Sequence, residues 1–84
     1  MFLVHNKNLQ LNGENPTVVY GYGGFSSNLL PAFRKSIIPF VQRGGIHVFT
    51  NLRGGAEFGA DWHTAAIEFK KQNTFDDMIA AVEY

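Results

Sequence analysis

A chain of 84 residues can bury one small core and little more. Its 45% hydrophobic content and zero formal charge exclude an intrinsically disordered segment. Seven basic and seven acidic residues cancel without forming a basic patch, so nothing here is built for nucleic acid or an anionic membrane surface.

Phe2 to His5 reads as a strand. The apolar run Met1–Val4 ends at His5, short of the ~7–15 residues of a signal-peptide core. No apolar run in the chain approaches the ~20 residues needed to span a bilayer. Asn6 to Pro16 is polar, with Asn12-Gly13 as a turn signal; it closes a hairpin or leads into the next strand. Thr17-Val18-Val19-Tyr20 is β-branched and aromatic, hence a strand, and it runs into Gly21, Gly23 and Gly24.

Phe33, Ile37, Phe40 and Val41 share one helical face. Pro39 cannot sit inside a helix, so Ser36 is expected as N-cap with Pro39 in the first turn and the helix near Ile37–Gln42. Gly44-Gly45 is its stop. Ile46 to Leu52 is a second buried-type strand, and Arg53 to Gly59 is a loop. Asp61 is expected to cap a helix bearing Trp62, Ala65, Ala66 and Phe69. Thr74-Phe75-Asp76-Asp77 matches a capping signature for a helix whose apolar face is Phe75, Met78, Ile79 and Val82. The pairs Arg34-Lys35 and Lys70-Lys71 read as solvated helix faces.

The middle of the chain is thus one βαβ unit, which implies a parallel pair with a right-handed crossover. The fold class is α/β. Three strands and about three helices make a thin layer beside the ~5–6 strands of an average sheet. Its open edges and faces, and elements that reach both chain ends, suggest a segment of a larger α/β domain.

The chemistry is narrower. Zero cysteines exclude disulfides and thiolate metal sites within the sequence and leave the redox compartment open. No G-x-S-x-G elbow occurs, and Ser26, Ser27 and Ser36 read as loop or cap residues. His5, His47 and His63 are isolated, with no metal-ligand spacing. Gly21-x-Gly23-x-x-Ser26 lacks the third glycine of a dinucleotide fingerprint, and no P-loop is present. Both glycine loops nonetheless follow strands of the parallel pair, at the carboxyl edge where open α/β sheets bind ligands. Tight turns without a ligand are the competing reading. Arg53 lies just past a buried strand and should be paired, with Glu57 or Asp77, in an ion pair that holds the glycine loop. Trp62 and His63 read as packing and hydrogen-bonding residues. Asp76 and Asp77 read as first-turn helix residues that complement the dipole. Strand alternation puts Val18, Tyr20 and Tyr22 on one side, with Tyr20 deeper and assigned to the core.

Three blocks carry a family resemblance. They are Asn15-Pro16-Thr17-Val18-Val19-Tyr20-Gly21-Tyr22-Gly23-Gly24-Phe25, then Asn51-Leu52-Arg53-Gly54-Gly55-Ala56-Glu57-Phe58-Gly59 with Trp62-His63, then Lys71-Gln72-Asn73-Thr74-Phe75-Asp76-Asp77 with Ala80-Ala81 and Glu83-Tyr84. In order and spacing they resemble the catalytic domain of prolyl oligopeptidases and cover essentially the whole chain. The oligopeptidase B group is similar too, and the Gly24-Phe25 ending fits the prolyl branch better.

The resemblance implies an α/β-hydrolase fold, a Ser–Asp–His triad and cleavage of short peptides after proline. It implies that residues 1–84 are the N-terminal part of that catalytic domain, without the triad-bearing part or the β-propeller, and inactive alone. Tyr22 matches the oxyanion-hole tyrosine, and Phe25 matches an aromatic of the proline pocket. Gly23 and Gly24 leave room for substrate backbone. Ala56 departs from the family's third glycine and would strain the loop if that position needs positive φ. Implied partners are short proline-containing peptides, the rest of the catalytic domain and a β-propeller, with no cofactor. Two other classes remain: a nucleotide- or phosphate-binding α/β module, and a non-catalytic interaction segment.

Overall fold

The computed structural model describes residues 1–84. The central strand is β3 (Ile46–Phe49), because it is the apolar segment that can be buried on both faces: Ile46, Val48 and Phe49 are all buried. β2 (Thr17–Tyr20) pairs with it in parallel, Thr17 opposite Ile46 and Tyr20 opposite Phe49. β1 (Phe2–Val4) pairs on the other side, antiparallel, with Phe2 opposite Phe49. The sheet order is β1-β3-β2, so the Asn6–Pro16 loop does not close a hairpin. It carries the chain from one side of β3 to the other. The Asn12 side chain accepts from the Glu14 N–H at 2.9 Å, and Gly13 takes positive φ, as the turn signal required.

Between β2 and β3 a 3-10 turn (Lys35–Ile37) runs into α1 (Ile38–Gln42). Ser36 is not the N-cap. It lies inside the 3-10 turn, Ile37 precedes the helix, and no side chain caps it. Pro39 sits in the first turn, where its preset φ and missing N–H favour initiation. The end is as expected: Gly44 at φ +91 donates to Val41 O and Gly45 donates to Phe40 O, a Schellman pair.

The helices after β3 depart most from expectation. α2 (Ala60–Thr64) begins after Gly59, which occupies the N-cap at φ +95, so Asp61 is an interior first-turn residue and not a cap. The chain then goes extended at Ile67 and left-handed at Glu68, which ends the helical run. Phe69 leaves the expected apolar face and is fully exposed. A second 3-10 turn (Glu68–Lys70) leads directly into α3 (Gln72–Glu83) with Lys71 already helical. Thr74 therefore sits inside α3 rather than capping it, and Asp76 and Asp77 lie beyond its first turn. Asp76 instead accepts from Gln72 Nε2 at 3.0 Å, one helical turn away.

The core is small: 11 of 84 residues are buried, with Leu52 and Ala66 joining the apolar residues of β3. Phe75, Ile79 and Val82 of α3 remain more than half exposed, and Phe2, Leu3 and Val4 of β1 are 37–47% exposed. The α3 face forms as the periodicity predicts, whereas Phe33 lies outside α1 and Phe69 outside α2; within these residues nothing packs against much of the apolar side of α3. Tyr20 is not in the core. It is 45% exposed, with its ring edge-on to Phe49, because its strand lies at the sheet margin.

Candidate active-site loops

The two glycine loops leave the carboxyl ends of the parallel strands β2 and β3 and pack on each other. Just past β3, Thr50 extends the ladder onto the end of β2: its N–H and its hydroxyl both donate to Tyr20 O, at 2.9 and 3.0 Å, and from Tyr20 the first loop departs. The chain then passes Gly21, Tyr22 and Gly23 and tightens at Gly24–Ser27. There the Ser27 N–H donates to Gly24 O at 2.9 Å, and Phe25 and Ser26 both take left-handed φ. Two non-glycine residues in this region cost free energy that the surroundings must supply. The result is a Phe25 ring that stands out from the protein, 89% exposed. Tyr22 is 51% exposed, and its ring centroid lies 6.4 Å from that of Phe25, tilted by 31°. Phe25 therefore projects from its loop and does not plug it. With Gly24, Ser26, His63, Glu68 and Lys71 it borders an open cleft of ≈ 580 Å³.

The second loop braces the first from beneath. Gly54 has φ +105, and a side chain there would strike the Gly23 carbonyl oxygen. The two loops thus touch backbone to backbone. The Gly54 N–H donates to Trp62 O at 2.9 Å, and Gly54 O accepts from His63 Nδ1 at 2.6 Å, so that nitrogen carries the proton. Trp62 packs edge-on against Phe58 at 4.9 Å. Both residues hold the loop, as their types suggested. His63 is committed to this bond, and no three metal-ligating side chains converge anywhere in the chain.

Arg53 finds Asp77 and not Glu57. Its Nη2 donates to Oδ1 at 2.7 Å, its Nε to Oδ2 at 2.9 Å, and its backbone N–H to Oδ2 at 2.9 Å. The hydrogen bond to Asp77 raises the guanidinium pKa further above its already high ordinary value, against partial desolvation. Desolvation pushes Asp77 upward, but the side-chain and backbone hydrogen bonds from Arg53 and its charge outweigh that and hold the carboxyl below its ordinary value. Glu57 serves the far side of the site: its Oε1 accepts from the Leu29 N–H at 3.1 Å, and Asn51 Nδ2 donates to Leu29 O at 2.8 Å. Ala56 does not take positive φ, so replacing a glycine there introduces no backbone strain.

Two contacts were not foreseen. Lys71 is not a solvated charge: its Nζ donates to Gly23 O at 2.5 Å. Thr74 is 4% exposed, and its hydroxyl donates to Arg53 O at 2.7 Å. Their signal in the sequence was membership of the Lys71–Asp77 block, which places them next to Arg53's partner. Arg34 stays exposed, as a solvated residue would, with its guanidinium over the Phe49 ring at 5.5 Å.

A parallel βαβ unit with glycine loops at its carboxyl edge places the chain among the α/β folds. The comparisons make the assignment specific: residues 31–84 match the model of the prolyl oligopeptidase family, and this chain belongs to that family. It is 47% identical over its full length to prolyl oligopeptidase A of Amanita bisporigera, covering 11% of that protein. It is 44% identical over its full length to the prolyl endopeptidase of Elizabethkingia meningoseptica, covering 12% of it. A solved structure from a study of two prolyl endopeptidases superposes with TM-score 0.96 at 51% identity, over 98% of this chain and 12% of that one. Oligopeptidase B from Leishmania major superposes at 0.87 with 35% identity, over 96% of this chain and 11% of that one. The chain thus spans about one-eighth of the length of the proteins it matches.

Proposed function

We propose that these residues form part of the catalytic domain of a serine-type prolyl endopeptidase that hydrolyses short peptides after proline. The observation that carries the reading is the pairing of Tyr22 and Phe25. Both are exposed on one loop at the carboxyl edge of the sheet, with ring centroids 6.4 Å apart. Attack on the scissile carbonyl places negative charge on its oxygen. A fixed phenol donor aimed at that position stabilises the charge as it develops. Tyr22 is that donor, and Phe25 walls the pocket for the proline ring. Gly23 and Gly24 let the substrate backbone come close.

The 84 residues contain no G-x-S-x-G, so the nucleophile and its base come from residues outside them, and the segment alone is inactive. The rest of the catalytic domain covers the open apolar faces of β1 and α3, and a β-propeller completes the enclosure. The test is the Tyr22→Phe variant of the complete peptidase, assayed on a proline-linked chromogenic peptide. A fall in kcat with little change in KM is expected; parent-level kcat removes Tyr22 from the oxyanion hole.

A further inference from the structure

We infer that Lys71 is a positioning residue for the oxyanion loop, acting through the Gly23–Gly24 peptide; this rests on the reading of Tyr22 given above. A loop with glycine at 21, 23 and 24 is intrinsically soft, because glycine restricts the backbone least. A donor that must meet a developing charge within a fraction of an ångström cannot be carried on a soft loop, so something must fix it.

The structure shows what does. The Gly23 carbonyl points into the protein, where Lys71 Nζ donates to it at 2.5 Å. The Thr74 hydroxyl lies 3.4 Å from the same oxygen but spends its proton on Arg53 O at 2.7 Å, so Lys71 is the principal donor. Lys71 makes no ion pair; the one salt bridge in the chain is Arg53–Asp77. Its charge is directed at a peptide carbonyl 48 residues away in sequence, and a charged donor makes a bond roughly twice as strong as a neutral one.

The same peptide is trans, so the Gly24 N–H points opposite to the carbonyl, away from Lys71. Pinning Gly23 O therefore fixes the peptide plane that follows Tyr22 and sets the direction in which its phenol leaves the loop. Arg53, Thr74 and Gly54 hold the second loop; Lys71 is the side chain that ties the first loop to the start of α3.

The test is a double-mutant cycle in the complete peptidase, with kcat and KM measured on a proline-linked chromogenic peptide. Lys71→Met is expected to lower kcat about 10-fold, less than the ~10²-fold of a full 1 Å misplacement because the loop backbone stays braced by Gly54, with KM within about 2-fold. Lys71→Arg, which keeps a charged donor, is expected to recover most of that loss. If Lys71 works through Tyr22, the Tyr22→Phe/Lys71→Met double variant turns over no more slowly than Tyr22→Phe alone. Should Lys71→Met not accumulate as folded protein, Lys71→Gln replaces it, and an intermediate loss, again absent on the Tyr22→Phe background, is expected. Parent-level kcat in Lys71→Met, or losses that multiply in the double variant, overturn the inference while leaving Tyr22 as donor. Parent-level kcat in Tyr22→Phe overturns the functional reading itself.

Discussion

The contact between the two glycine loops makes Gly54 the most demanding backbone position in the chain, and Gly59 supplies a matched control. Both have positive φ, +105 and +95. Alanine at either carries the cost of a left-handed or glycine-only conformation, about 1–3 kcal/mol. The surroundings differ. A Cβ at Gly59 meets nothing within 4 Å, whereas a Cβ at Gly54 would overlap the Gly23 carbonyl oxygen and lie 3.2 Å from Thr74 Oγ1. Relieving that overlap requires the Gly23 carbonyl to retreat from its bond with Lys71, an overpacking cost of about 1–3 kcal/mol more. Gly54→Ala is therefore expected to destabilise the complete peptidase by about 1–3 kcal/mol more than Gly59→Ala, measured by denaturant unfolding with m-values checked for equality. The displaced carbonyl belongs to the loop that carries Tyr22, so Gly54→Ala should also lose roughly 10²-fold in kcat while Gly59→Ala stays near the parent. Equal stability losses and equal kcat in the two alanine variants would refute the loop-on-loop bracing described here.

Two further expectations concern the neighbours of that contact. The Asp77 carboxyl is held below its ordinary pKa, so its bond to Arg53 contributes stability that is present above the unfolded carboxyl pKa of about 3.9 and is lost as pH falls through the lower folded value. Asp77→Asn should lower Tm by roughly 2–4 °C at neutral pH, with the gap to the parent closing below about pH 4; a gap that persists in acid would assign the loss to packing. Phe25→Ala removes an exposed ring from the proposed proline pocket, so kcat/KM for proline substrates should fall about 10–100-fold with unchanged Tm; an equal fall for substrates cleaved after alanine would remove Phe25 from proline recognition.

Much of this architecture is legible in the sequence, for identifiable reasons. The parallel β2–β3 pair follows from two β-branched runs separated by a helix-length segment, a pattern with few solutions. Arg53 had to be paired because it leaves a buried strand, though the sequence did not separate Asp77 from Glu57. The helix starts are not legible in the same way, because capping signatures are local and helices are placed by their neighbours. Ser36, Asp61 and Thr74 each have the chemistry of a cap, but a 3-10 turn, a glycine at positive φ and another 3-10 turn set the three boundaries instead. Thr74 shows what the hydroxyl does when freed from capping: it is buried and donates to Arg53 O. Lys71 was illegible for a different reason. Adjacent lysines ordinarily face water, and the carbonyl that recruits this one comes from a distant loop. Tyr20 was assigned to the core from its place in a strand, but its strand is at the margin of the sheet.

The central claim is that Tyr22 donates to the oxyanion, and the steady-state kinetics of Tyr22→Phe in the complete peptidase test it most directly. The phenol acts on charge that exists only in the transition state. The account therefore predicts a kcat about 10²–10³-fold below the parent with KM within a few-fold, the loss expected for one missing donor. A Tyr22→Phe enzyme with parent kcat, or one whose defect lies wholly in KM, would contradict it.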